Sequence, residues 1–242
     1  MRIAVLSDIH ANYHALAAAL SEVDAAGVDE LWCLGDTVGY GPRPNECCAA
    51  LRDRAALCLA GNHDLAALGR LPLDDFNGDA AAAVRWTKGE LDGASRAFLA
   101  SLEPAAERPG VELYHGSPLD PVWDYVLSEA AAYVSFEATR APLVLVGHSH
   151  VALALSWDGA ALAGGLAGAG AEVELPARRW LLNPGSVGQP RGGDPRASWL
   201  LIDLDAGRAT FGRAAYPVER TQAELRERGL PEALAARLAL GQ

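Results

Sequence analysis

Several marks of common protein classes are missing from this sequence. Basic residues do not dominate it: Lys and Arg number 20 against 31 acids, for a net charge of -11 at neutral pH. That balance argues against a nucleic-acid partner held by a broad basic surface. A small phosphorylated substrate remains compatible with it, because bound cations invert the local field. No apolar run has the length of a membrane span. The residues between Met1-Arg2 and Ser7-Asp8 are too few for the apolar core of a secretory leader. No membrane partner and a cytoplasmic location are therefore expected. Cysteine is scarce, and Cys33, Cys47, Cys48 and Cys58 show no C-x-x-C spacing. Buried thiols in a reducing compartment are expected, with a Cys47–Cys48 redox pair as the lesser alternative. No linker, internal repeat or low-complexity block stands out. The 242 residues are 50% hydrophobic, ample for one core, and a single domain over 1–242 is expected.

What is present is a repeated pattern of short apolar runs that end in polar, ligand-capable residues. Arg2 to Ser7 reads as a buried strand and runs into Asp8-Ile9-His10. Asn12 to Ala26 reads as a helix, with Leu16, Ala19, Leu20 and Val23 on one face and Gly27 as its stop. Glu30 to Leu34 is a second strand ending at Gly35-Asp36, and Ala56 to Ala60 a third ending at Gly61-Asn62-His63-Asp64. Between them lie a Gly- and Pro-rich loop over 37–44 and a helix from Asn45, its expected N-cap, to Arg52. A helical, Ala-rich segment is expected over about 65–106, clearest at Phe76 to Leu91 and Ala94 to Leu102. Val111 to Tyr114 leads into His115, and a helix over Ser128 to Arg140 follows. Leu143 to Val146 then leads into Gly147-His148-Ser149-His150. The last third reads as strands at Val151–Ser156, Glu172–Leu175, Trp180–Asn183, Ser198–Asp203 and Ala209–Ala214. Helices over Thr221–Arg228 and Glu232–Leu240 follow. Glycines between Ala160 and Ala171 read as turns.

Strand, helix and parallel strand in succession place candidate sites at the strands' carboxyl ends. In an extended strand, residues i and i+2 share a side, so Asp8 and His10 are expected to converge there. Alone, that pair is better explained as a surface acid and a helix-capping turn. The other histidines change the weight. Of six, all but His14 lie where an apolar strand gives way to a loop, as do Asp8, Asp36 and Asn62. Asp8, His10, Asp36, Asn62, His115, His148 and His150 exceed what one zinc-like ion takes, about four ligands. They fit two divalent ions about 3.5–4 Å apart, the clamp of phosphatases and nucleases. Asp36 is the natural bridge, one carboxylate oxygen to each ion, and neutral Asn62 adds an oxygen without charge. The donor set suits Mn²⁺, Fe, Zn²⁺, Co²⁺ or Ni²⁺, with availability deciding as much as affinity; Mn²⁺ is the expected ion.

The blocks Asp8-x-His10, Gly35-Asp36, Gly61-Asn62-His63-Asp64, His115 and Gly147-His148-Ser149-His150, in this order, resemble the calcineurin-like metallophosphoesterase superfamily over residues 6 to about 190. The Gly35-Asp36-Thr37-Val38-Gly39-Tyr40-Gly41-Pro42 stretch, with Asn183-Pro184-Gly185-Ser186, is similar to its small prokaryotic branch. The chain has no room for a large cap domain. The resemblance implies an α/β fold, a two-sheet β-sandwich flanked by helices in four αββα layers. It implies that Asp8, His10 and His150 hold one ion, that Asn62, His115 and His148 hold the other, and that Asp36 bridges. It also implies that His63 serves at the leaving group, with Asp64 orienting its ring.

The expected activity is hydrolysis of a small phosphodiester or phosphomonoester by attack of a metal-bridging hydroxide. Alternatives are a phosphoprotein phosphatase of the same superfamily and a catalytically silent scaffold that binds proteins. Ser117, Ser149 and Ser186 have no helper left to activate a serine nucleophile. Tyr40, Arg43, Arg191 and Arg196 are candidates for substrate contact. For Arg196 a solvated loop ion pair with Asp194 is an equal reading, and for Tyr40 a packing role.

Overall fold

Alternation along the strands builds the sandwich. In β1 (Arg2–Leu6), Ile3 and Val5 point into one apolar cluster and Ala4 and Leu6 into another. The computed structural model describes residues 1–176 and 178–242. After β1 come α1 (Tyr13–Ala26), β2 (Glu30–Cys33), α2 (Pro44–Arg54), β3 (Leu57–Cys58), α3 (Asn62–Ala67), α4 (Gly78–Glu90) and α5 (Gly93–Ala100). Then follow β4 (Ala105–Arg108), β5 (Val111–Tyr114), α6 (Glu129–Ala138), β6 (Leu143–Val146), β7 (Leu153–Trp157), β8 (Leu162–Leu166) and β9 (Glu172–Glu174). β10 (Arg179–Asn183), β11 (Ala197–Asp203), β12 (Arg208–Ala214), α7 (Val218–Glu227) and α8 (Glu232–Ala236) precede a closing 3₁₀ turn, Arg237–Leu240.

One 6-stranded sheet has the order β3-β2-β1-β11-β12-β9, the other β4-β5-β6-β10-β7-β8. Both are mixed. β1, β2 and β3 run parallel, as do β5, β6 and β10. Between the sheets lie Ile3, Val5, Trp32, Leu113, Leu145 and Phe211. α1 and α2 cover the first sheet through Leu16, Val23 and Leu51, and α6 covers the second through Phe136 against Val144 and Leu181. This is the four-layer α/β sandwich expected above. The parallel strands of both sheets end on one edge. Among the described residues, no helix is long and apolar enough to cross a membrane.

The differences from expectation have local causes. Asn45 does not cap α2, which begins at Pro44; its side chain instead donates to Glu90 O and accepts from Asp92 N. The expected helical segment ends early, because 105–108 pairs antiparallel with β5 across the Gly110 turn. Residues 162–166, read as turns, form an edge strand on β7. Its sequence, Leu-Ala-Gly-Gly-Leu, has no β-branched residue to announce it. Gly164 (φ +119°) lies against the Ala154 backbone where a side chain has no room. Cys47 and Cys48 face different clusters and are both free thiols, pushed up in pKa by burial.

A polar tie fixes the C-terminal helices. Glu224 of α7 accepts from Arg43 Nε at 2.6 Å and pairs with His14 Nε2 at 3.0 Å, which joins α7 to α1 and the loop before α2. The Arg43 hydrogen bonds, reinforced by His14, hold its carboxyl down at about 2, against an ordinary value of 4.5. A depressed carboxyl stabilises the fold fully above pH 4.5, and that contribution is lost as pH falls toward 2. Solvent access reduces it to about 1 kcal/mol. Glu224→Gln is expected to lower unfolding free energy by about that amount at pH 7. The gap should narrow steadily below pH 4.5, as read by urea titrations of both proteins at each pH.

Candidate metal centre

Where β1 and β2 end, their exits remain zipped together. Asp8 N donates to Gly35 O at 3.0 Å, His10 N to Asp36 O at 2.9 Å and Ala11 N to Thr37 O at 2.9 Å. The backbone is no longer extended there. Asp8 (φ 53°), His10 (φ 49°), Asp36 (φ 51°), His148 (φ 61°) and His150 (φ 61°) are all left-handed. Asp8 and His10 do converge, but not by strand alternation. The side chains turn inward from left-handed positions, a conformation that Asp and His adopt more readily than most residues. Such positions cost of order 1–3 kcal/mol each and persist where the surroundings over-determine them. Here they do. Ser186 Oγ and Gly188 N both bond Asp8 O, and Asn183 Nδ2 bonds Gly147 O and Ser149 Oγ.

The side chains meet with little to bond but each other. His10 Nε2 is 3.0 Å from His150 Nε2 and 3.6 Å from Asp36 Oδ2. His150 Nε2 is 3.5 Å from Asp8 Oδ1. On the other side of Asp36, His115 Nε2 is 3.6 Å from the same Oδ2 and 3.3 Å from Asn62 Oδ1. The far nitrogen of each ring faces a backbone carbonyl. His10 Nδ1 faces Val38 O (3.2 Å), His115 Nδ1 faces Leu34 O (2.9 Å), His150 Nδ1 faces Gln189 O (2.7 Å), and His148 Nε2 faces Trp123 O (3.2 Å). A carbonyl only accepts, so each of these nitrogens carries the proton, and the opposite lone pair points into the centre. Two lone pairs facing each other at 3.0 Å between His10 and His150 repel unless a cation lies near. Both oxygens of Asp8 and Oδ2 of Asp36 are buried with no hydrogen-bond donor among the described residues. Uncompensated carboxylate oxygens beside neutral imidazoles fit a cation. The groups Asp8/His10/His150, His10/Asp36/His63 and Asp36/His115/His148 each bring their ligand atoms within 4.8 Å of one another.

Asp36 is central in a manner other than the one expected. Its Oδ1 accepts from His63 N at 2.9 Å, so only Oδ2 faces both histidine sets. Gly61 is required beside it, since a Cβ there would collide with the Asp36 carboxylate. Asp64 does not orient the His63 ring. Its carboxylate accepts from the amides of Gly61 (3.0 Å), Thr37 (3.1 Å) and Val38 (2.9 Å), and His63 Nδ1 has no partner among the described residues. Asp64 thus ties the Asp36 loop to the start of α3, and Phe76 steadies the His63 ring edge-on at 5.0 Å.

Burial dominates the electrostatics. It raises Asp8 to about 7, aided by Asp36, and raises Asp36 well above the carboxylate range, with Asp64 adding to it. It lowers His10, His63 and His150, and takes His148 down to about 2. Neutral rings are the ligating form, and a cation beside the carboxylates reverses their shift.

The centre opens into a cleft of about 80 Å³ whose walls include Tyr40, His63, Phe76, Trp123, Tyr125 and Arg191. Of the residues expected to contact substrate, Tyr40 and Arg191 are there. Arg43 is not, because Glu224 holds its guanidinium, and Arg196 closes on Asp194 at 2.9 Å. The roles of Asn183, Gln189, Trp123 and Tyr125 had no separate signal in the sequence. Tyr125, stacked on His148 at 4.1 Å, and the braces from Trp123 O and Gln189 O arise only from folding. The Asn183-Pro184-Gly185-Ser186 turn was legible as a turn, without its partners.

Comparisons with known proteins agree with this geometry. A family model described as calcineurin-like phosphoesterase superfamily domain matches residues 1–207. An uncharacterized protein of Methanocaldococcus jannaschii is 37% identical over 246 residues, covering 99% of this chain and 98% of its own. The crystal structure of a metallophosphoesterase from Sphaerobacter thermophilus superposes with a TM-score of 0.90 at 44% identity, covering 100% of this chain and 99% of that one. A hypothetical protein from Pyrococcus horikoshii shares the fold at a TM-score of 0.78 and 20% identity, covering 100% and 98%.

The raised Asp8 carboxyl gives a test of sign. With its folded value near 7 against an ordinary 3.8, it costs nothing below pH 3.8, and the penalty grows until pH passes 7. In chelated protein at pH 8, Asp8→Asn is expected to raise unfolding free energy by a few kcal/mol, about 1.4 for each pH unit of relieved shift. At pH 4 the gain should vanish. With divalent metal restored, the order should invert, wild type becoming the more stable, as thermal melts at the two pH values will show.

Proposed function

Because the chain belongs to the calcineurin-like phosphoesterase superfamily, we propose that it is a two-metal-dependent phosphoesterase acting on a small phosphodiester or phosphomonoester. The observation that carries this reading is Asp36 Oδ2, buried, without a donor, and 3.6 Å from a histidine nitrogen on either side. Asp8, His10 and His150 would hold one ion and Asn62, His115 and His148 the other, with Asp36 common to both. The mixture of carboxylate, amide oxygen and imidazole suits Mn²⁺, Fe, Zn²⁺, Co²⁺ or Ni²⁺, and Mn²⁺ is the first to test. Bound ions would supply Lewis-acid chemistry, activating water for in-line attack and withdrawing charge from the phosphoryl oxygens.

The chain's own residues do the rest. His63 is buried and neutral, so its ring offers an N–H rather than a full imidazolium. That N–H would donate to the leaving oxygen or a phosphoryl oxygen as charge develops there. The Asp36-bonded amide of His63 fixes the residue's backbone, and the T-shaped Phe76 contact fixes its ring. Tyr40 packs at 4.6 Å from the His10 ring and 4.4 Å from that of His63, closing one wall against water. Arg191 would meet the anionic substrate from the loop that follows Gln189.

Two outcomes follow from these assignments. Metal analysis of protein purified without chelator is expected to find about two ions per chain, as in two-metal sites generally. Asp8→Asn should lose one and Asp36→Asn both. Equal, small losses in the two variants would sink the shared-ligand assignment. With Mn²⁺ added, bis-p-nitrophenyl phosphate or p-nitrophenyl phosphate should be hydrolysed. His63→Ala should retain its metal while kcat falls about 10²–10³-fold. Loss of metal and fold in that variant would make His63 structural.

A further inference from the structure

Two guanidinium groups, one on the wall of this cleft and one stacked on Tyr40 of that wall, have no ion-pair partner among the described residues. Arg191 lies on the cleft wall, within reach of the Tyr125 side chain and 3.4 Å from Gln189 Oε1, with no carboxylate ion-pair partner among the described residues. Arg237, in the closing 3₁₀ turn, holds its guanidinium carbon 4.7 Å from the Tyr40 ring centroid. Its Nε and Nη2 are buried and have no hydrogen-bond partner among the described residues. The other side of the connection is short, since the Tyr40 ring is 4.4 Å from that of His63. Burial lowers the Arg237 pKa, its contact with Tyr40 raises it, and the Arg191 charge lowers it, so the two guanidinium groups lie within electrostatic reach of each other; Asp79 favours the Arg237 charge without forming an ion pair among the described residues.

Burying guanidinium N–H groups unbonded costs about 1–3 kcal/mol per group, more for charged ones. Placing a second cation nearby adds repulsion. An anion held by both removes both penalties, and the planar fork of Arg matches phosphate oxygens. Arg237 lies beyond the residues 1–207 that the family model matches. It is brought to the cleft by apolar packing of Leu225, Leu234 and Leu238 with Tyr40. The C-terminal helices therefore carry a cation to the site that the superfamily core does not supply.

We propose that Arg191 and Arg237 form a second anion subsite at the cleft mouth, so that the preferred substrate carries a further phosphate besides the phosphoryl group that is cleaved. This rests on the phosphoesterase reading above. Two chromogenic esters isolate the added charge: the p-nitrophenyl ester of thymidine 5′-phosphate, and the same ester bearing a 3′-phosphate. In Mn²⁺-loaded wild type, the 3′-phosphorylated ester is expected to have the higher kcat/KM, by about tenfold or more. Arg237→Ala should collapse that ratio, chiefly through KM, and Arg237→Lys should recover part of it. Equal kcat/KM for the two esters in wild type, or an unchanged ratio in Arg237→Ala, overturns the subsite and leaves the phosphoesterase reading intact. If neither ester nor bis-p-nitrophenyl phosphate is hydrolysed, the activity reading fails. The subsite is then decided by calorimetry of metal-free protein with thymidine 3′,5′-bisphosphate. Affinity weakened about tenfold in Arg237→Ala supports it; no wild-type binding, or unchanged affinity in the variant, overturns it.

Discussion

A buried carboxylate with one oxygen left unbonded is the constraint on which the rest of this edge of the molecule depends. Asp36 Oδ1 is taken by the His63 amide, and Oδ2 has no donor among the described residues. Without a cation, burial holds the Asp36 carboxyl well above its ordinary range, so the arrangement works against folding unless a positive charge joins it. Positioning a carboxylate in this way requires rigid surroundings. The amides that Asp64 accepts, the Gly61 backbone against the Asp36 side chain, and the paired exits of β1 and β2 supply them. Asp64 thus belongs to the architecture of the centre through the loop it ties, rather than through the ring of its neighbour.

The features visible in the sequence were those that depend on residue type and order. Short apolar runs marked β1, β2, β5 and β6 almost to the residue, because buried parallel strands need little else. Histidines and acids at the ends of those runs marked the centre, since chance seldom places so many ligating groups at equivalent points. What was not visible depends on partners distant in sequence. The carbonyls of Val38, Leu34, Gln189 and Trp123 set four ring orientations, and any residue has a carbonyl. β4 and β8 exist because neighbouring strands accept them, not because Ala-Ala-Glu-Arg or Leu-Ala-Gly-Gly-Leu favours extension. Arg43 and Arg196 looked like anion binders in the sequence; folding gave each a carboxylate, and left Arg191 and Arg237 without an ion-pair partner among the described residues.

Charge shows the same separation between the whole and the site. A net charge of -11 describes the surface and weighs against nucleic-acid partners. It says little about a cleft that Arg191 lines beside neutral imidazoles and where bound cations would outweigh the carboxylates. An anionic substrate approaching this protein would be repelled at long range and attracted only at the mouth. Affinity would then depend on contacts within the cleft more than on long-range steering, and would fall less with added salt than that of a basic nucleic-acid binder.

The left-handed residues explain why the centre lies beyond the strands rather than on them. Within a strand, backbone groups are committed to the ladder and side chains alternate into the two apolar clusters, as Ile3 and Ala4 do. A ligand in the ladder would have to displace that packing. Past Leu6, positive φ at Asp8 and His10 turns two side chains to one side while their amides still bond Gly35 O and Asp36 O. The same device recurs at His148 and His150, where Asn183 takes over the bracing. Each such residue is locally unfavourable, so the sandwich must hold it by hydrogen bonds and close packing from neighbouring loops. The bracing residues would therefore bear on the affinity for any ion held there, although none of them would touch it.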